Sequence, residues 1–177
     1  PSSKLVIFSE SKETAEQLSK NLKTITDYRV LTISADNRKA METVLRENFD
    51  ANLETEKWKN EYDIIITTEV LAEGINLHRS NLIVNYDVPW NATRLMQRIG
   101  RVNRIGSRAE QIFVYNFYPS AHGDEQIKLV NNALRKLQSF HTALVKTTRY
   151  SHCLKKRETV HCSAIKSKRK KAKSSII

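Results

Sequence analysis

Glycine is scarce in this 177-residue chain, with only Gly74, Gly100, Gly106 and Gly123 present. None of them precedes a lysine, so the phosphate-cradling pattern G-x-x-x-x-G-K-[ST] cannot be written anywhere along the chain. That excludes a nucleoside triphosphatase that holds its nucleotide on its own loop. Cysteine is nearly absent as well: Cys153 and Cys162 cannot build a disulfide framework, which fits a reducing compartment. No apolar run approaches the roughly 20 residues that span a bilayer, so no membrane partner is expected. The opening "PSSKLVIFSE" lacks the basic region and apolar stretch of a secretory signal. A cytoplasmic setting is expected, or a nuclear one in a eukaryote. The chain begins on Pro1, as a fragment, a processed form or an engineered piece would.

Against these absences stand 40% hydrophobic and 28% charged residues, the balance of a soluble globular domain. The formal charge of +11 is unevenly spread. From Lys155 onward nine basic residues face one acid, which leaves +3 for everything before them. Net charge therefore says little about the folded body, and a nucleic-acid partner has to be argued from particular residues.

Short apolar runs alternate with helical patterns. Leu5–Ser9, Tyr28–Ser34, Asp63–Thr68, Asn81–Asp87 and Gln111–Tyr118 read as five strands, mostly apolar on both faces as buried parallel strands are. Ser11 can cap a helix whose Ala15, Leu18, Leu22 and Ile25 recur at helical spacing. A second helix from about Arg38 to Phe49 would bury Met41, Val44 and Leu45, and a short third one begins near Glu69. Asp124 to about Val145 carries an amphipathic stripe expected to pack across the sheet. The succession implies an α/β fold with a parallel sheet covered on both sides. From 148 to 177 the periodicity stops, and "KSKRKKAKSS" reads as a basic, disordered tail after a domain spanning 1–147.

The fourth helix carries "QRIGRVNRIGS", Gln97 to Ser107. Asn91 suits its cap, and Gly106 a stop just past its last turn. At helical pitch Arg94, Gln97, Arg98, Arg101 and Arg104 fall within an arc of about 120°, beside an apolar arc of Leu95, Ile99 and Val102. The apolar arc should anchor the helix and leave the arginine face outward. Gly100, on neither arc, permits close approach of another body. A plain solvated face would intersperse acids for support, yet no acid occurs between Val88 and Ala109. Every basic position there is arginine, whose planar fork suits phosphate. An external anion is the expected partner.

"QRIGRVNRIGS" resembles motif VI of superfamily-two helicases, Q/H-R-x-G-R-x-x-R. "TTEVLAEGINLHRSNLIVNYDVPWN" resembles motif V with the strand after it, and "KLVIFSESKETAEQL" resembles motif IV. The matches keep the family's order and spacing over Lys4 to Phe117. Gln97, the "INL" after Gly74, and Trp90-Asn91 resemble the Swi/Snf-type ATPases, which act on double-stranded DNA. Ala92 and Ser107 depart from that group, which carries Pro and Gln there.

The resemblance implies a RecA-like three-layer sandwich, P-loop NTPase-like but without its own P-loop. Such a lobe works with an N-terminal RecA-like lobe of the same polypeptide, which holds most of the ATP and Mg²⁺. Arg101 and Arg104 would be arginine fingers on the γ-phosphate. Gly74, Asn76, Gln97 and Arg98 would line the nucleotide cleft, with Gln97 and Arg98 shaping it or bridging to motif V. Ser9, Ser11, Lys12, Thr67, Thr68 and Glu69 would face the nucleic acid, their contacts being to its backbone. This lobe alone should not hydrolyse ATP. The alternatives are a DEAD-box-like RNA helicase lobe, or a nucleic-acid-binding domain that has lost catalysis. The pairs His152-Cys153 and His161-Cys162 lack C-x₂-C spacing, so no metal is expected.

Overall fold

A computed structural model describes residues 4–69, 75–89, 91–103, 109, 111–117, 150–153 and 160–166, with the backbone alone for 92, 150–153 and 160–166. Five strands, β1 Lys4–Phe8, β2 Val30–Ile33, β3 Ile64–Thr67, β4 Ser80–Asn85 and β5 Gln111–Phe117, run parallel in the order β2-β3-β1-β4-β5. Among the described residues three α-helices lie between them, α1 Lys12–Ile25, α2 Glu42–Phe49 and α3 Ala92–Val102, with a short 3-10 helix at Thr55–Lys57.

Alternation along the strands sorts the core into two layers, because successive side chains leave a strand on opposite faces. Val6, Phe8, Leu31, Ile33 and Ile65 pack with Leu45 and Phe49 of α2 and with Leu95, Ile99 and Val102 of α3. Ile7, Val30, Ile64 and Ile66 pack against Ala15, Leu18 and Leu22 of α1. The result is a three-layer α/β sandwich, as expected from runs apolar on both faces.

Ile25 departs from expectation: it is 74% exposed. The helix of 14 residues is about 21 Å long, whereas a four-residue strand spans about 13 Å, so the last turn of α1 overhangs the sheet. The second helix starts at Glu42 and not near Arg38. Asn37 explains the delay, since its amide oxygen accepts from the Ser34 amide and its amide nitrogen donates to the Thr32 carbonyl. That local turn competes with a helical start.

The tail is corrected in part. Within the stretch expected to be disordered, β6 Tyr150–Cys153 and β7 Val160–Lys166 pair antiparallel with each other, and β7 pairs antiparallel with β5. The sheet is thus mixed, in the order β2-β3-β1-β4-β5-β7-β6. The reason is the open edge of β5: an unpaired row of amides and carbonyls accepts another strand. The helix expected near Glu69 and the amphipathic stretch 124–145 lie outside the described residues, as does the basic run from 167 onward. No helix among the described residues is long and apolar enough to cross a membrane.

Candidate functional site

All five parallel strands point their carboxyl ends to one pole, where α/β proteins gather ligands. α3 starts from that pole, just past the carboxyl end of β4, as its sequence suggests. Asn91 caps it, its Oδ1 accepting from the Thr93 amide at 2.9 Å. Leu95, Ile99 and Val102 are buried. Arg94 and Gln97 are exposed, and Arg101 is half-buried with its carbonyl accepting from the Leu77 amide at 2.9 Å. A Cβ built on Gly100 would meet nothing within 4 Å, so packing within the described chain does not demand glycine there. Arg104, Gly74 and Gly106 lie outside the described residues.

Arg98 overturns the outward-facing picture of the whole arc. It is fully buried. Its Nε donates to Glu69 Oε1 at 2.8 Å and Nη2 to the same oxygen, while Nη1 donates to Asn85 Oδ1 at 3.2 Å and to the Asp87 carbonyl at 2.9 Å. The Phe8 ring lies under the guanidinium, 5.2 Å from centroid to Cζ. The missing anion is therefore internal for this one arginine: it comes from motif V, 29 residues back in sequence, not from a ligand. Such a group joins elements and has no fork left to present to a nucleotide.

Other expected contacts are also spent inside the fold. Ser9 is fully buried and its Oγ donates to Asp87 Oδ2 at 2.6 Å. Thr67 is fully buried and its hydroxyl donates to the Thr68 carbonyl at 3.0 Å. Glu69 is occupied by Arg98. Neither Ser9 nor Thr67 stands open to a phosphate, and Glu69, though only half-buried, has its carboxylate held by Arg98.

Ser11, Lys12, Thr68 and Asn76 remain at accessible or half-buried positions. Ser11 caps α1, accepting from the Thr14 amide at 3.3 Å while donating to Glu13 Oε2. Lys12 pairs with Asp36, an exposed contact, and shares an open groove of about 290 Å³ with Lys20 and Lys23 of the same helix.

Three residues that the sequence reading passed over complete the network. Asn85 Nδ2 donates to Asn116 Oδ1 at 2.7 Å across the β4–β5 ladder, where the two are register partners. Asp87 accepts from Ser9, Glu10 and Arg98. The signal was present: "IVNYD" and "VYNF" each place an asparagine in an otherwise apolar strand, and buried polar side chains demand partners.

With this geometry established, comparison with known proteins fixes the class. The helicase conserved C-terminal domain family matches residues 1–106, and the chain belongs to that family. It is similar, at 40% identity over 70 residues, to the uncharacterized ATP-dependent helicase YqhH of Bacillus subtilis (strain 168), over 40% of this chain and 12% of that protein. It is similar at 32% identity over 112 residues to the ATP-dependent RNA helicase eIF4A of Schizosaccharomyces pombe, covering 63% of this chain and 26% of that one. In fold it resembles the C-terminal part of the Fun30 ATPase domain, with a TM-score of 0.57 at 21% identity, over 74% of this chain and 39% of that one. It likewise resembles S. cerevisiae Dbp5 bound to RNA and ADP BeF3, with a TM-score of 0.54 at 21% identity, over 75% and 32% of the respective chains. The chain thus spans well under half the length of these relatives. It is a helicase C-terminal domain with a RecA-like fold.

Proposed function

We propose that this lobe completes an ATPase by lending Arg101 and Arg104 to the γ-phosphate of an ATP bound on a separate RecA-like lobe of the same polypeptide. The observation that carries this reading is the division of labour along α3. Arg98 is sunk and neutralised, while Arg94 and Gln97 stay on the surface and no described residue crowds half-buried Gly100. Phosphoryl transfer needs charge neutralised at the γ-phosphoryl oxygens, and an arginine supplied from outside raises the rate by about 10³–10⁵. That is worth roughly 4–7 kcal/mol of barrier. The chain fits only the receiving half of such a site, since it has no P-loop, and Mg²⁺ falls to the other lobe as well. Because the fingers arrive on lobe closure, turnover is tied to movement.

The nucleic acid is double-stranded DNA on this reading. Gln97 at the head of motif VI and the Trp90-Asn91 pair favour a Swi/Snf-type translocase. Ser11, Lys12 and Thr68 then contact the phosphate backbone, and Gly74 and Asn76 link that track to the nucleotide. Such binding is sequence-independent and weakens with salt. A second reading, an RNA helicase lobe of the DEAD-box kind, is favoured by the RNA helicases among its relatives.

The test is ATP turnover by the protein carrying both lobes, with duplex DNA, single strands or RNA added. Duplex DNA should stimulate most; RNA doing so would select the second reading. Arg101→Ala and Arg104→Ala should each lower kcat at least about 10²-fold with the fold retained. Normal turnover in either variant removes that finger. No turnover with any nucleic acid would point to a binding domain that has lost catalysis.

A further inference from the structure

β1 and β4 are neighbours in the sheet, but the chain leaves them in opposite directions, β1 through α1 toward β2 and β4 through α3 toward β5. The carboxyl ends of such a pair open the crevice in which α/β proteins place ligands. Here one residue, Asp87, spans it. Its Oδ2 accepts Ser9 Oγ at 2.6 Å and the Glu10 amide at 3.1 Å. Its backbone carbonyl accepts Arg98 Nη1 at 2.9 Å. One side of Asp87 thus grips the turn between β1 and α1, two residues from the Ser11 cap and three from Lys12. The other side grips the arginine that seats α3.

Another bond reaches that turn as well, the Ser9 amide donating to the Thr67 carbonyl of β3 at 3.0 Å, but it holds Ser9 and not Glu10. The Phe8 ring lies under Arg98, and the Tyr86 amide donates to the Phe8 carbonyl at 2.9 Å. Both stop at the last residue of β1. The Ser9 hydroxyl and the Glu10 amide are tied to the segment just after β4 through the Asp87 carboxylate, a charge-assisted acceptor shorter and stronger than a neutral one.

We infer that Asp87 is a positioning residue that couples nucleic-acid contact at the start of α1 to the placement of the arginine helix; this rests on the function proposed above. A load on Ser11 or Lys12 displaces Glu10, Glu10 pulls the Asp87 side chain, and the Asp87 carbonyl carries the displacement to Arg98. Asp87 touches neither nucleotide nor nucleic acid in this scheme.

The experiment measures ATP turnover of the two-lobe protein, with and without nucleic acid, in Asp87→Ala, Asp87→Asn and Ser9→Ala. Basal turnover should stay at the wild-type rate in all three. Stimulation should fall at least about fivefold in Asp87→Ala, the lower end of ordinary coupling between sites. Asp87→Asn, which keeps an acceptor oxygen, should retain most of the stimulation. Ser9→Ala should lose part of it, and Ser9→Ala/Asp87→Ala should be no worse than Asp87→Ala alone, the non-additivity of a shared contact. Hydrogen exchange at the Glu10 amide should speed up in Asp87→Ala and not in Asp87→Asn. Wild-type stimulation in Asp87→Ala, or basal and stimulated rates falling together, overturns the inference. Should Asp87→Ala fail to fold, unchanged stimulation in Ser9→Ala does the same. A wild-type protein that no nucleic acid stimulates overturns the proposed function and the coupling with it; that failure is distinct because no variant is needed to see it.

Discussion

Replacing Arg98 by alanine tests whether the buried bridge, and not the apolar arc alone, seats α3. The side chain is fully buried and makes donor contacts to Glu69, Asn85 and the Asp87 carbonyl. Removing one member of a buried ion pair destabilises by roughly 3–5 kcal/mol. The Glu69 side chain is 28% exposed and can partly rehydrate, which favours the lower end for that pair. Asn85 Oδ1 and the Asp87 carbonyl then lose a donor as well, at about 1 kcal/mol or more each. A total near 5 kcal/mol is comparable with the whole stability of a small domain, about 5–15 kcal/mol. Arg98→Lys keeps the charge but loses the fork, so about half that loss is expected. Glu69→Gln keeps an acceptor oxygen and should fall between wild type and Glu69→Ala. Arg94→Ala, on the exposed arc, should change stability by no more than about 0.5 kcal/mol. Urea unfolding followed by far-UV circular dichroism, with m compared across variants, reads each value. Arg98→Ala within about 1 kcal/mol of wild type, or Arg94→Ala equally damaging, would refute the bridge as the element that seats the helix.

Two further outcomes follow from particular residues. Lys4 is buried with Nζ donating to the Tyr62 carbonyl, and its pKa is lowered from 10.5 to about 8, chiefly by burial and then by Arg79, with Asp63 opposing. The unfolded chain therefore binds more protons between those two values. Stability should rise with pH through that window, by about 3 kcal/mol in all. Lys4→Met should flatten the rise, and a flat wild-type curve from about pH 7.5 to 9.5 would contradict it. Gly100→Ala should stabilise the isolated fold by up to about 1 kcal/mol, because none of the described residues obstructs the added methyl and alanine favours helix. If another lobe or a phosphate approaches there, the same variant should lose turnover in the two-lobe protein. Full activity would show that no close approach occurs.

Much of the fold was written in periodicity. Strand runs apolar on both faces gave β1 to β5 to within a residue or two, and Ser11 and Asn91 mark the starts of α1 and α3 as side-chain caps do. What periodicity cannot supply is length matched against a neighbour, which is why Ile25 on the right arc still stands in solvent. Nor does it register an open sheet edge, and β7 pairs along β5 from a stretch whose charge suggested a tail. The site was legible as chemistry but not as geometry. A helical wheel assigned five residues to one arc, yet a wheel has no depth: Arg98 points toward the strand ends and meets Glu69 there. The acid that neutralises it lay outside the window in which acids were sought.

The burial of Arg98 also bears on how α3 presents its remaining arginines. Apolar contacts such as those of Leu95, Ile99 and Val102 tolerate some rotation of a helix about its axis, because dispersion and burial are weakly directional. Hydrogen bonds from a planar fork to Glu69, Asn85 and Asp87 do not, since they weaken steeply with angle. Arg101 follows Arg98 by three residues, about 4.5 Å along the axis and about 60° around it. Fixing the rotation at Arg98 therefore fixes the direction in which Arg101 leaves the helix, one turn further on, where its carbonyl accepts from the Leu77 amide ahead of β4. An arginine given up to the interior makes its neighbours precise, which is what a group that must meet a phosphate on another body requires.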